Sequence, residues 1–138
     1  MLVLDTNVYL DTIVDAVLAV RVAEFLDATS DHLGLSSVVL AELLVGVRPA
    51  DRARLLPWVT EGIDDAAVLT PTHADWITAG DALQQLGGDD ATPRRSFWND
   101  LLIAASCART GATLVARNEE DFRRIRRVIP VAVVPRPA

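Results

Sequence analysis

Four acidic residues stand where an α/β chain presents its ligands: Asp5, Glu42, Asp100 and Asp121. Ligands of open parallel sheets gather beyond the carboxyl ends of the strands, so acids that follow short apolar runs are the ones to weigh. Asp5 closes the run Leu2 to Leu4 within Leu4-Asp5-Thr6-Asn7; an Asx turn or helix cap is its plain alternative role. Glu42 is the one charged residue in the stretch Val-Val-Leu-Ala-Glu-Leu-Leu-Val-Gly-Val that begins at Val38. A helix apolar on every side is normally buried, and an ionised carboxylate there is costly unless an arginine, other donors or a metal meet it. Asp100 repeats the pattern early in Phe-Trp-Asn-Asp-Leu-Leu-Ile-Ala-Ala, although helix first turns favour acids through the macrodipole in any case. Asp121 ends three consecutive acids in Arg117-Asn118-Glu119-Glu120-Asp121-Phe122, a run that a solvated helix start explains equally well.

An all-oxygen set of this kind, with no histidine or cysteine at ligand spacing, suits Mg²⁺ or Mn²⁺ rather than Zn²⁺. His32 and His73 form no metal motif, Cys107 lies alone on an apolar segment, and no Gly-x-Ser-x-Gly elbow exists. The chain contains no lysine; all 13 basic residues are arginine. That absence excludes P-loop ATPases, Schiff-base enzymes and protein kinases. It also counts against a haloacid-dehalogenase phosphatase, which needs a second aspartate where Asn7 stands and a lysine downstream.

Charge is divided unevenly along the 138 residues, whose net charge is −6. Residues 1–90 hold four arginines against fifteen acids, and residues 91–138 hold nine against four. The average opposes coating of nucleic acid by bulk charge, whereas the basic third can contact phosphates locally. Arg123, Arg124, Arg126 and Arg127 surround the stripe Phe122, Ile125 and Ile129, and Arg94 and Arg95 precede Trp98. A solvated helix face accounts for the first group; phosphate contact by Arg94, Arg95, Arg123 and Arg124 is the functional alternative. One cysteine allows no internal disulfide, and no basic-then-apolar leader or long apolar span occurs, so a cytoplasmic chain is expected.

Positioning these acids requires alternating strands and helices. Strands are expected at Leu2–Leu4, Leu33–Leu35, Ala66–Leu69, Ala112–Val115 and Val131–Val134, with the third at an edge. The period Leu18, Val22, Phe25, Leu26 marks an amphipathic helix. Ser36 or Ser37 caps a helix from Val38 to about Val47, and a helix over 51–63 must place Pro57 in a first turn or at a kink. Thr72 and Asp75 form a capping box for a helix whose apolar stripe is Trp76, Ala79, Leu83 and Leu86, ended by Gly87. A helix from Phe97 to Arg109 and a short one after Glu119 complete one α/β domain over residues 1–138, core about 2–134. Its helices flank a central, mainly parallel sheet.

Leu4-Asp5-Thr6-Asn7, Ala41-Glu42-Leu43, Asn99-Asp100-Leu101-Leu102-Ile103-Ala104-Ala105 and Arg117 to Phe122 occur in an order and spacing that resemble the PIN-domain family. In particular they resemble the VapC-type toxins of bacterial toxin–antitoxin pairs. The resemblance implies Mg²⁺-dependent hydrolysis of RNA, with Mn²⁺ a substitute, leaving 3′-hydroxyl and 5′-phosphate ends. It makes Asp5 and Asp100 the principal metal ligands. Glu42 completes the acidic pocket, Asp121 is a looser or water-mediated fourth acid, and Asn7 and Asn118 are supporting residues. It implies a homodimer and a cognate VapB-type antitoxin, seated on the apolar helices between Leu40 and Ile63 with Leu55 and Trp58 exposed. One departure is Ala116, where the family commonly carries Thr or Ser. A non-enzymatic RNA-binding or scaffold module of the same fold is the alternative.

Overall fold

The computed structural model describes residues 1–61, 63–87 and 95–138. Five strands form one all-parallel sheet in the order β3-β2-β1-β4-β5: β1 Leu2–Leu4, β2 Leu33–Ser36, β3 Val68–Leu69, β4 Thr113–Ala116 and β5 Ala132–Pro135. Around it lie α1 Thr6–Val14, α2 Ala16–Ala28, α3 Ser37–Gly46, α4 Pro49–Thr60, α5 His73–Gln85, α6 Arg95–Thr110 and α7 Arg123–Arg126. The central strands are short and apolar because helices cover them. Val3, Leu35, Leu114 and Val115 are at most 1% exposed and pack with Val39, Leu43, Leu101, Ile103 and Phe122.

The chain fills the sheet outward from β1 on one side with β2 and β3, then crosses back to place β4 on the other. Leu4 pairs with Val115 across that junction, and the next residue, Asp5, donates its N–H to the Val115 carbonyl at 2.8 Å. The β1–β4 border is therefore the topological switch point, where the connections diverge and leave a crevice beyond the strand ends. Gly34 permits a second close approach in β2. A Cβ there would lie 2.9 Å from the Ala67 carbonyl oxygen and collide with the Met1 side chain.

Local chemistry sets most boundaries. The Ser36 hydroxyl accepts from Val38 and Val39 N–H, starting α3. Thr72 and Asp75 make the expected capping box, and Gly87 and Gly111, both at positive φ, end α5 and α6. Other expectations need correction. Residues 6–14, where no element is expected, are rich in β-branched side chains with weak helix preference yet form a helix anchored by buried Val8 and Tyr9. Pro57 lies inside α4 because that helix already begins at Pro49. The third strand shrinks to Val68–Leu69 because Asp64 caps a 3₁₀ turn over Asp65–Ala67.

Trp76 is 55% exposed rather than part of the buried stripe. The inward residue is Asp75, whose two carboxylate oxygens each accept from Arg109 Nε at 3.0 Å, while Ala79 and Ala82 let α5 close on α6. Nor is α3 enclosed on every side. Val39 and Leu43 are fully buried but Val45 is 78% exposed.

Candidate active site

Asp5 occupies the N-cap position of α1, yet its side chain makes no capping bond to that helix. It is 7% exposed and pushed up to about 6, chiefly by burial and also by the charges of Glu42 and Asp121; the Thr6 backbone N–H and Arg117 pull the other way. Asp100 lies in the second turn of α6, beyond the first-turn amides that would explain it as a helix-start acid. Burial, with the charges of Asp5, Glu42 and Asp121 added, pushes it up to about 8. The charges of Glu42 and Asp121 thus act on both of these carboxyls.

Glu42 is half-buried on α3, which packs against both α1 and α6. Among the described residues it is met by a hydroxyl and not an arginine: Thr6 Oγ1 donates to Glu42 Oε1 at 2.7 Å. Thr6 escapes sequence reasoning, although it immediately follows Asp5 in the first motif. Ala116 is 1% exposed in β4. Asp121 is exposed on the 3₁₀ turn Glu119–Phe122. Asn118 caps that turn by accepting from Glu120 N–H at 2.9 Å, which holds the segment bearing Asp121. Asn7 is half-buried in the first turn of α1, two residues beyond Asp5.

The expected basic residues are engaged differently. Arg123 pairs with Glu120 at 3.2 Å, and Arg124 stacks over the Phe97 ring with 5.5 Å to its centroid. Arg94 and the Arg95 side chain lie outside the described residues. Arg117, not singled out by the sequence pattern, stands closer to the acids, and its charge bears on both Asp5 and Asp121. Leu55 is 5% exposed, contrary to the expectation that it lies free on the surface, because α4 turns it inward; the Trp58 side chain is not described. His73 and His32 are both exposed, and Cys107 is a core residue.

Beside Glu42 opens a cleft of about 620 Å³ bordered by Ser37, Val45, Trp76, Ser96 and Asn99. A polar strand lying there would reach the acids from the α3–α6 side. Among the described residues no three acid, histidine or cysteine side chains sit close enough to enclose an ion as they stand. The donor chemistry nevertheless fits a hard cation. Oxygen ligands gathered in a poorly solvated pocket repel one another, and a divalent ion relieves both burdens.

The sheet is parallel and doubly wound, and Asp5 stands at its switch point. The chain belongs to the PIN domain family, whose model matches residues 2–128. PIN domains are generally nucleases and generally use divalent metal ions. The fold is similar to a DNA-bound VapBC complex from Salmonella typhimurium, with TM-score 0.72, 18% identity, and 99% of this chain and 98% of that chain covered. It is similar also to VapBC2 from Rickettsia felis bound to a promoter fragment, with TM-score 0.70, 21% identity and 97% of each chain covered. VapBC-1 from nontypeable Haemophilus influenzae gives TM-score 0.65 and 25% identity over 97% and 96% of the two chains. No curated protein matches the chain in sequence. No helix among the described residues is long and apolar enough to cross a membrane.

Proposed function

We propose that this chain is a Mg²⁺-dependent endoribonuclease and the toxin of a VapBC-type pair, working in the cytoplasm and restrained by a cognate antitoxin. The reading is supported by four acids on separate segments whose charges reach one another: Glu42 and Asp121 act on both Asp5 and Asp100, and the last two are pushed well above the usual carboxylate range. Asp5 and Asp100 would hold the metal, with Glu42 and Asp121 contributing more loosely. When bound, the ion supplies charge neutralisation and activation of water for in-line attack on phosphorus. Thr6 fixes Glu42, leaving its second oxygen unengaged by that bond, and Asn118 fixes the turn carrying Asp121. Mn²⁺ serves as a substitute of similar ligand preference.

An apolar cavity of about 170 Å³ between α1, α2 and α4, lined by Tyr9, Ile13, Val22, Leu26 and Leu55, is the seat we assign to an apolar side chain of the antitoxin. The Tyr9 hydroxyl is buried there without a hydrogen-bond partner among the described residues. Exposed Val45, Trp76 and Ile77, on α3 and α5, are the face we assign to a second copy; Trp76→Glu should convert a dimer to a monomer by light scattering.

The test of the activity is cleavage of a mixed RNA pool with Mg²⁺ or EDTA by wild type, Asp5→Asn and Asp100→Asn. Cleavage that needs Mg²⁺ and is lost in both variants supports the reading. Cleavage surviving both substitutions overturns it, and RNA binding without any cleavage by wild type assigns the chain to the RNA-binding module instead.

A further inference from the structure

One carboxylate outside the acidic set gathers two arginines. Asp11, in the second turn of α1, accepts Arg117 Nη2 on Oδ1 at 2.5 Å and Arg117 Nε on Oδ2 at 2.9 Å. Its Oδ2 also accepts Arg136 Nε at 3.1 Å. The side chains of Asp11, Arg136 and Arg117 are 16%, 21% and 47% exposed, so the carboxylate is sheltered while the Arg117 guanidinium borders solvent. Two guanidinium groups against one carboxylate leave a net positive charge at this spot.

Its place in the fold matters more than its charge. Arg117 directly follows the last residue of β4, two positions beyond the Val115 carbonyl that receives the Asp5 N–H. Arg136 follows β5 and is tied to the end of β4 by its own N–H, which donates to the Ala116 carbonyl at 2.8 Å. Both arginines therefore emerge at the carboxyl edge of the sheet, on the β4–β5 side of Asp5, opposite the cleft beside Glu42. Arg117 spends its Nε and one Nη2 donor on Asp11, leaving Nη1 free of that pair. Arg136 gives Nη1 to the Pro137 carbonyl at 2.7 Å.

We infer that Arg117 and Arg136 form a phosphate-binding ledge for the RNA strand at the rim of the acidic pocket, with Asp11 as the positioning residue that orients them. The inference rests on the nuclease reading above and adds to it a binding element. A strand approaching clustered carboxylates is repelled by them. A planar guanidinium braced on its far edge by a carboxylate offers its remaining N–H groups to a phosphate in one fixed orientation. The charge of Arg117 already bears on Asp5 and Asp121, so a phosphate held there lies next to the pocket. The plain alternative is a structural brace, since Asp11 also fastens the tail beyond β5 to α1.

The test uses the full chain carrying Asp100→Asn, which blocks cleavage, and a fluorescein-labelled single-stranded RNA in Mg²⁺. Binding is measured against salt concentration, with thermal melting of every variant alongside. Each lost phosphate contact to a single strand lowers the slope of log affinity against log salt by about 0.7; Arg117→Gln and Arg136→Gln should each show that loss. Asp11→Asn is the sign-inverting variant. It makes the protein less negative, so bulk charge alone would tighten binding, whereas loss of orientation weakens it, by about tenfold for one charge-assisted contact. Arg117→Lys, which keeps the charge without the planar fork, should retain the slope and lose affinity. Unchanged slopes in both glutamine variants, or tighter binding by Asp11→Asn, overturn the ledge and leave the nuclease reading standing. Lower melting temperatures with unchanged slopes assign the cluster to the brace. A parent that binds no RNA overturns the ledge, and the cleavage assay on wild type decides the nuclease reading separately.

Discussion

Replacing Asp5 with asparagine should make the metal-free protein more stable while abolishing its cleavage of RNA. Its carboxyl is pushed up from 3.8 to about 6, chiefly by burial. A carboxyl whose folded value is raised favours folding while it is protonated. That contribution is complete below 3.8, and it is lost as pH rises through about 6; for Asp100 the loss extends to about 8. A tenfold change in proton affinity between the folded and unfolded chain is worth about 1.4 kcal/mol, so an ionised Asp5 costs the metal-free fold about 3 kcal/mol at pH 8. Asparagine keeps the shape and an acceptor for the Thr6 N–H but carries no charge. It should raise the melting temperature in EDTA at pH 8 by roughly 10 °C for a chain of this size. At pH 4 the difference should nearly vanish. Asp100→Asn should act in the same direction, and the double variant should gain less than the two singles together, because their mutual repulsion is removed once. Mg²⁺ should raise the wild-type melting temperature and leave both variants nearly unmoved. Differential scanning fluorimetry across pH reads all of this. An Asp5→Asn protein that melts at or below wild type in EDTA at pH 8 would refute the electrostatic account of the pocket.

Other outcomes follow from single residues. Asp75→Ala removes both the capping box of α5 and the buried pair with Arg109, and should cost about 2–4 kcal/mol in urea unfolding; a cost under about 1 kcal/mol would show that α5 does not depend on it. Tyr9→Phe deletes a buried hydroxyl that has no partner among the described residues, so it should leave stability unchanged or raise it. A drop in the melting temperature would mean the hydroxyl is bonded in solution. The Cys107 thiol is fully buried and pushed up to about 12, so it should be inert to a thiol reagent at pH 8 in the native protein and react once unfolded. Rapid native reaction would contradict the packing of α6.

Sequence pattern reveals the strands and the caps at Ser36 and Thr72 because each depends on a local signal: an apolar run or a hydroxyl before a helix. What it misses depends on long-range contact. The helix over residues 6–14 forms despite weak intrinsic preference because Val8 and Tyr9 find a core to bury in. Periodicity alone points Trp76 inward, yet the pairing with Arg109 turns Asp75 inward instead. Asp11 and Arg117 are 106 positions apart, and neither lies within a pattern that announces the other. Thr6 adjoins a recognisable acid but joins Glu42 only once α1 and α3 are in place.

The pairing of β1 with β4 has a consequence for the making of the protein. Leu2 waits for Thr113 before the centre of the sheet can close, and Asp121 and Arg136 come later still. Contacts this distant in sequence form late and slowly. A growing chain therefore carries Asp5 and Glu42 for most of its synthesis without the strand that brings them opposite Asp100 and Asp121. Folding and assembly of the acidic pocket are one event, and a chain interrupted before β4 has neither.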